Sequence, residues 1–196
     1  MKLYALITSS EDAREAARWN IIDGIWLPAG DWQNVEELRP RITALADVFN
    51  GEFIVELPPA SVEQLMEWTN TITMWFPRVT LQFPMTPAGI SACAHATHNK
   101  LKAAIGQATS ILQVIISAKA SPSLVRLDLQ RLARSGDETA WEEVAQLRTL
   151  LNQHGYQAVA LVADVSHPHN FACALECNID GMLLTMELLH ATIPHE

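Results

Sequence analysis

The chain has 196 residues, 49% of them hydrophobic and 18% charged, which suffices for one well-buried core and leaves no low-complexity tract of the kind that marks disorder. A net charge of −9 disfavours nucleic-acid backbones and anionic membranes as partners, because both reward lysine and arginine clusters that are missing here, and it obliges any anionic ligand to find a strong local basic site. No apolar run approaches the roughly 18 residues of a membrane span, and the N-terminus lacks a basic-then-apolar leader, so one cytoplasmic domain spanning residues 1–196 is expected. Cys93, Cys173 and Cys177 make neither an even framework nor a Cys-x-x-Cys pair and are expected as reduced thiols.

In chain order, short apolar runs rich in β-branched residues alternate with longer segments of helical period. Lys2–Ile7 is followed by Glu11–Trp19, Gly24–Leu27 by Trp32–Phe49, and Phe53–Leu57 by Val62–Trp75, the pattern of repeated strand–helix units. Thr8 with Glu11, Ser61 with Gln64, and Ser135 with Glu138 each have the spacing of a capping box at a helix start. Arg78–Phe83 predicts a fourth strand and Pro87 to Thr97 the helix after it. Thr139–His154 predicts a helix stopped by Gly155, followed by a strand at Ala158–Val162, a helix at Asn170–Cys177 and a last strand at Gly181–Leu184. With two more units in the middle the count reaches eight, which implies a closed parallel (β/α)8 barrel, an open doubly wound sheet being the alternative.

The stretch Arg78-Val79-Thr80-Leu81-Gln82-Phe83-Pro84-Met85-Thr86-Pro87-Ala88-Gly89 resembles the catalytic strand of the small transaldolase and fructose-6-phosphate-aldolase family, roughly V-V-V-K-I-P-M-T-P-E-G. The likeness extends through Ile21-Ile22-Asp23-Gly24, Val55-Glu56, Arg131-Leu132 and His167-Pro168, and from Thr86 to Arg131 it runs without insertion. It bears on the middle of the chain, where β-branching alone makes Ile111–Ser117 a strand. The resemblance instead places Leu112–Ala120 on a helix, with strands at Leu101–Ala108 and about Ser123–Asp128. It implies a site at the C-terminal ends of the strands. The family continues into a further C-terminal helix that packs on a neighbouring subunit, and the sequence given stops at Glu196 without it.

Carried over residue by residue, the family's functional positions mostly change. Its Schiff-base lysine corresponds to Gln82, whose amide nitrogen is delocalised into a carbonyl and cannot attack a ketone as a neutral lysine amine does. The first-strand aspartate corresponds to Ile7, and the T-T-N-P-S loop to Trp26-Leu27-Pro28-Ala29-Gly30. The water-positioning threonine falls on Gly106 and the aromatic used in proton transfer on Asp128. Of three phosphate-binding positions Arg131 remains, while a serine becomes Asp164 and an arginine becomes Ser166. Losing a cation and adding an anion about 4 Å from a phosphate shifts the interaction by about 1 kcal/mol per charge in water and several-fold more in a drier site. Sugar-phosphate binding is thus expected to be weak, and Arg131 to pair with Asp164.

Glu56 matches a carboxylate that the transaldolase branch uses as an acid or base, and it could titrate unusually beside Gln82; its plainer reading is a buried glutamate bonded to a neighbour. His95 and His98 suggest a solvated helix face, and the spacing of Asp164, His167 and His169 matches no zinc signature, so no metal or other cofactor is expected. The four lysines, Lys2, Lys100, Lys102 and Lys119, offer no obvious replacement nucleophile. Trp26 and Trp32 flank Pro28-Ala29-Gly30 as either an aromatic platform for a neutral ligand or a plug, and exposed tryptophans are where a homo-oligomer contact is to be sought. The sequence therefore leads to a transaldolase-like barrel without Schiff-base chemistry, a binder or scaffold. Its candidate ligand is a small neutral carbohydrate or carbonyl compound near Trp26, Asp128, Arg131, Asp164 and Ser166. The rivals are an active aldolase or transaldolase working through one of the other lysines, and a lyase or other enzyme using Glu56 with Asp128 or Asp164 as acid and base.

Overall fold

The structure is a computed structural model that describes residues 1–30, 32, 34–128, 140–165 and 168–193, with the backbone alone at 140 and 164. Eight strands, β1 (Lys2–Leu6), β2 (Gly24–Leu27), β3 (Glu52–Glu56), β4 (Val79–Pro84), β5 (Ala103–Ala108), β6 (Leu124–Asp128), β7 (Val159–Val165) and β8 (Gly181–Thr185), pair in parallel in sequence order and close on themselves through β1 and β8. Closure removes every free sheet edge and rules out the open sheet. The helices among the described residues are α1 (Ser10–Trp19), α2 (Val35–Ala46), α3 (Val62–Trp75), α4 (Pro87–His98), α5 (Ile111–Ala118), α6 (Ala140–Gln153), α7 (Pro168–Glu176) and α8 (Met186–Thr192).

Because strand side chains alternate with period two, the barrel separates two apolar layers. Tyr4, Trp26, Ile54, Ala104, Leu124, Leu161, Ala163 and Leu183 fill the interior, with Leu6 packed against them. The opposite faces of the same strands, including Ile25, Val55, Leu81, Phe83, Ile105, Val125, Leu127 and Val162, pack under the helices. Ile7 belongs to this outer layer, so the inward position at the end of β1 is Leu6, one residue from the expected Ile7 and equally unable to move a proton.

Helix starts follow side-chain chemistry closely. The cap of α1 is Ser9, whose hydroxyl accepts from the Asp12 N–H while the Asp12 carboxylate accepts from the Ser9 N–H; the expected Thr8–Glu11 box is displaced by one residue. Ser61 caps α3 as expected, and the Ser135–Glu138 pair lies outside the described residues. Residues 111–117 are helical despite their β-branching: Ser110 caps α5, and Val114, Ser117 and Ala118 face the core while Leu112 and Ile116 stay outside. Tertiary burial of one helical face overrides local propensity here.

The Pro84-x-Thr86-Pro87-x-Gly89 segment is a turn from strand to helix. The Thr86 hydroxyl accepts from the Gly89 N–H at 3.0 Å, and Pro87 occupies the first helical turn, where a missing N–H costs nothing. A Cβ on Gly89 would fall 2.0 Å from the Pro84 carbonyl oxygen, so only glycine fits. Half of the motif that carries the family resemblance is therefore architecture.

Candidate functional site

Following each strand two residues beyond the apolar interior layer leads to a polar layer near the C-terminal end. Glu56 follows Ile54, Gly106 follows Ala104 and Arg126 follows Leu124, while Gln82 pairs in register with Glu56 on one side and Ala104 on the other. Glu56, Gln82, Arg126 and Asp128 are all buried, at 2–7% exposure, so each polar group needs an internal partner.

Glu56 is the acceptor at the centre. Its Oε1 accepts from the Trp26 indole N–H at 2.9 Å and from Arg126 Nη1, and its Oε2 accepts from the Ala29 N–H at 3.1 Å. Arg126 Nη1 also lies 3.5 Å from the Gln82 carboxamide oxygen, and the guanidinium stands 5.4 Å from the centre of the Trp26 ring, within cation–π range. Tyr4 meets the same indole edge-on at 6.0 Å. Trp26 is thus wholly enclosed, sandwiched between the apolar layer and the ion pair, while Trp32 turns away to pack edge-on against Trp68 at 5.1 Å. Trp19, Trp68, Trp75 and Trp141 are half-buried, while Trp26 and Trp32 are buried.

Gly106 makes room for this arrangement. A Cβ there would come within 2.1–2.3 Å of the Gln82 carboxamide, so the volume that a threonine would fill in the family pattern is occupied by the end of Gln82. Directly after it, Gln107 has φ 63° and the β5–β6 register shifts between Ile105 and Ala108, a local distortion beside the polar layer.

Arg126 is the member of the cluster that sequence reasoning missed. Its signal was present in Leu124-Val125-Arg126-Leu127-Asp128: period two sets both charges on one face of an otherwise apolar strand, and a guanidinium inside a barrel demands a buried acid. Of the other expected site residues, Asp128 is buried at the end of β6, whereas Arg131, Ser166, His167 and the Asp164 side chain lie outside what the structure describes, and with them the expected Arg131–Asp164 pair. His169 Nε2 lies 3.6 Å from Cys173 Sγ; His95 and His98 are exposed on α4, as expected; among the described residues no group of three metal-ligating side chains converges. Cys93 is buried, and burial pushes its thiol up to about 12, as suits an unreactive core residue.

The lysines sit elsewhere. Lys2 and Lys102 line a cavity of about 170 Å³ at the N-terminal end of the barrel with Tyr4, Glu52 and Thr80, while Lys100 and Lys119 are exposed beyond the ends of α4 and α5. In that cavity Lys2 Nζ donates to Glu52 Oε1 at 2.5 Å and the Tyr4 hydroxyl to Oε2 at 2.8 Å. Burial works to raise the Glu52 carboxyl, but the hydrogen bonds from Lys2 and Tyr4 and the charges of Lys2 and Lys102 outweigh it and hold the group below its ordinary range. Burial, reinforced by the bond to Glu52 and by the Glu52 and Asp23 charges, keeps the Tyr4 phenol protonated well beyond its ordinary range.

The class these observations define is a closed parallel (β/α)8 barrel with a buried Arg126–Glu56 ion pair near the C-terminal ends of its strands. Solved structures agree on the fold: a mandelate racemase/muconate lactonizing enzyme-like protein from Rubrobacter xylanophilus superposes with a TM-score of 0.70 at 15% identity over 94% of this chain and 56% of its own. A designed cube-shaped protein cage built from fused oligomeric domains gives 0.66 at 12% identity over 95% of this chain and 64% of its own. No family model matches the sequence. Among curated proteins, the chain is similar over nearly its whole length to ones described as "Probable transaldolase". That of Alkaliphilus metalliredigens is 24% identical over 97% of this chain and 91% of its own, and that of Petrotoga mobilis 22% identical over 100% and 88%. One from Thermus thermophilus is 22% identical over 100% and 87%. The chain is transaldolase-like in sequence and a (β/α)8 barrel in fold.

Proposed function

We propose that this protein is a transaldolase-like barrel of carbohydrate metabolism that does not carry out Schiff-base aldol chemistry and acts by binding. The observation that carries the proposal is the Gln82–Arg126–Glu56 cluster. An imine needs a neutral amine aimed at a carbonyl, and this layer holds a carboxamide and a guanidinium, whose nitrogens are delocalised into neighbouring π-bonds. Glu56, the carboxylate available for proton transfer, is instead engaged by three N–H donors from Trp26, Ala29 and Arg126. A general base must reach the proton it abstracts, and those donors compete for the lone pairs that would do so.

Borohydride reduction in the presence of dihydroxyacetone or fructose 6-phosphate, followed by intact and peptide mass measurement, tests the proposal. The expected result is an unmodified chain and no cleavage of fructose 6-phosphate; a reduced adduct on any of the four lysines overturns it. Turnover of a carbonyl substrate that vanishes in Glu56→Gln without an adduct would replace binding by acid–base catalysis.

A further inference from the structure

A second cavity lies at the N-terminal face, outside the barrel, where the ends of α2 and α3 meet the starts of β3 and β4. It encloses about 340 Å³, twice the space at the N-terminal mouth of the barrel, and falls at the lower end of the roughly 300–1,000 Å³ typical of small-molecule sites. Four of the chain's thirteen aromatic residues line it, Phe49, Phe53, Trp75 and Phe76, together with Ile42 and Val79. Their arrangement is fixed: Phe49 and Phe53 meet edge-on at 6.0 Å, and a Cβ at Gly51 would strike the Phe49 ring at 2.3 Å and the Asp23 carbonyl at 2.6 Å, so glycine is what lets the ring sit there.

The polar side chains that line it are two, Arg78 and Asn50. Arg78 lines the cavity and makes no hydrogen bond or ion pair with the described residues, and the Asn50 amide is exposed beside it. In a chain of net charge −9, a cation left without a carboxylate beside an aromatic-walled cavity is poised for an acceptor from outside. We infer that this cavity binds a small aromatic carboxylate, the ring packed among Phe49, Phe53, Trp75 and Phe76 and the acid group on Arg78. Aromatic walls favour a ring at offset or edge-on geometry, and the guanidinium fork matches a carboxylate in two hydrogen bonds. The site is independent of the barrel interior, so it stands or falls apart from the fate of Gln82.

Isothermal titration of the full chain with 3-phenylpropanoate, and with 3-phenylpropan-1-ol as its neutral counterpart, tests this directly, Trp75 serving as a fluorescent reporter. Saturable binding of the acid is expected, weakened about tenfold in Arg78→Gln, while the alcohol binds that variant and the parent alike. Ala46→Phe, at an exposed lining position, is expected to fill the space and abolish both. Absence of saturable acid binding, or acid binding that Arg78→Gln leaves unchanged, overturns the inference. Because Arg78 is exposed, that variant keeps the fold and the test decides even if Ala46→Phe does not.

Discussion

At the C-terminal end of the strands Arg126 pairs with Glu56 through side chains 9% and 7% exposed; at the N-terminal end Lys2 pairs with Glu52 through side chains 43% and 42% exposed. The two pairs use the same chemistry at opposite ends of the same barrel, yet water separates their energetics. The outer pair is screened, and its loss returns two charges to solvent that already wets them. The inner pair is cut off from water, so its members hold each other in place and neither can be removed alone without stranding a charge.

The largest expected effect breaks the inner pair. Arg126→Met leaves Glu56 buried without its cation and is expected to cost about 3–5 kcal/mol in urea denaturation. Adding Glu56→Gln to it removes the stranded charge while keeping an acceptor for one of the two N–H donors, Trp26 or Ala29, and is expected to restore part of the loss. If the double variant is no more stable than the single one, the ion pair is not what Arg126 supplies. An intermediate effect comes from crowding the same layer: Gly106→Ala drives a methyl group into the Gln82 carboxamide and is expected to cost about 1–3 kcal/mol, relieved when combined with Gln82→Ala.

The smallest effect belongs to the outer pair, where Lys2→Met is expected to cost about 1 kcal/mol or less, shrinking further as salt is raised. Its pH dependence sharpens the contrast. Glu52 ionises more readily in the folded chain, so its contribution is present above the ordinary glutamate value of 4.5 and is lost as pH falls below it; the acid limb of the stability curve should flatten in Glu52→Gln. Tyr4 works in the opposite sense, its contribution complete below the ordinary phenol value of 10.0 and lost as pH rises past it, so Tyr4→Phe should hold its stability further into alkali.

The barrel itself was legible because its signals are local and repeated: strand runs, caps and turn residues recur along the chain, and small errors such as Thr8 for Ser9 do not change the count of units. Even the misleading run at Ile111–Ser117 gave way to the family likeness that runs without insertion from Thr86 to Arg131. The polar layer was harder, since it depends on which residues of different strands share one height. Glu56 and Gln82 were found because a resemblance pointed to them. Arg126 had no such pointer, and only the demand that a charge inside a strand find its counter-charge would have singled it out. The one-residue slip between Ile7 and Leu6 has the same origin: period two exchanges inside for outside with every step.

The guanidinium of Arg126 also bears on which neighbouring sequences could ever make an imine. A lysine placed at position 82 would arrive as a second cation facing Arg126 across a single carboxylate, in space that Gly106 leaves for an uncharged amide. Like charges favour the neutral amine, so a Gln82→Lys chain would show the conflict as lost stability in the buried layer and not as a lack of nucleophilicity.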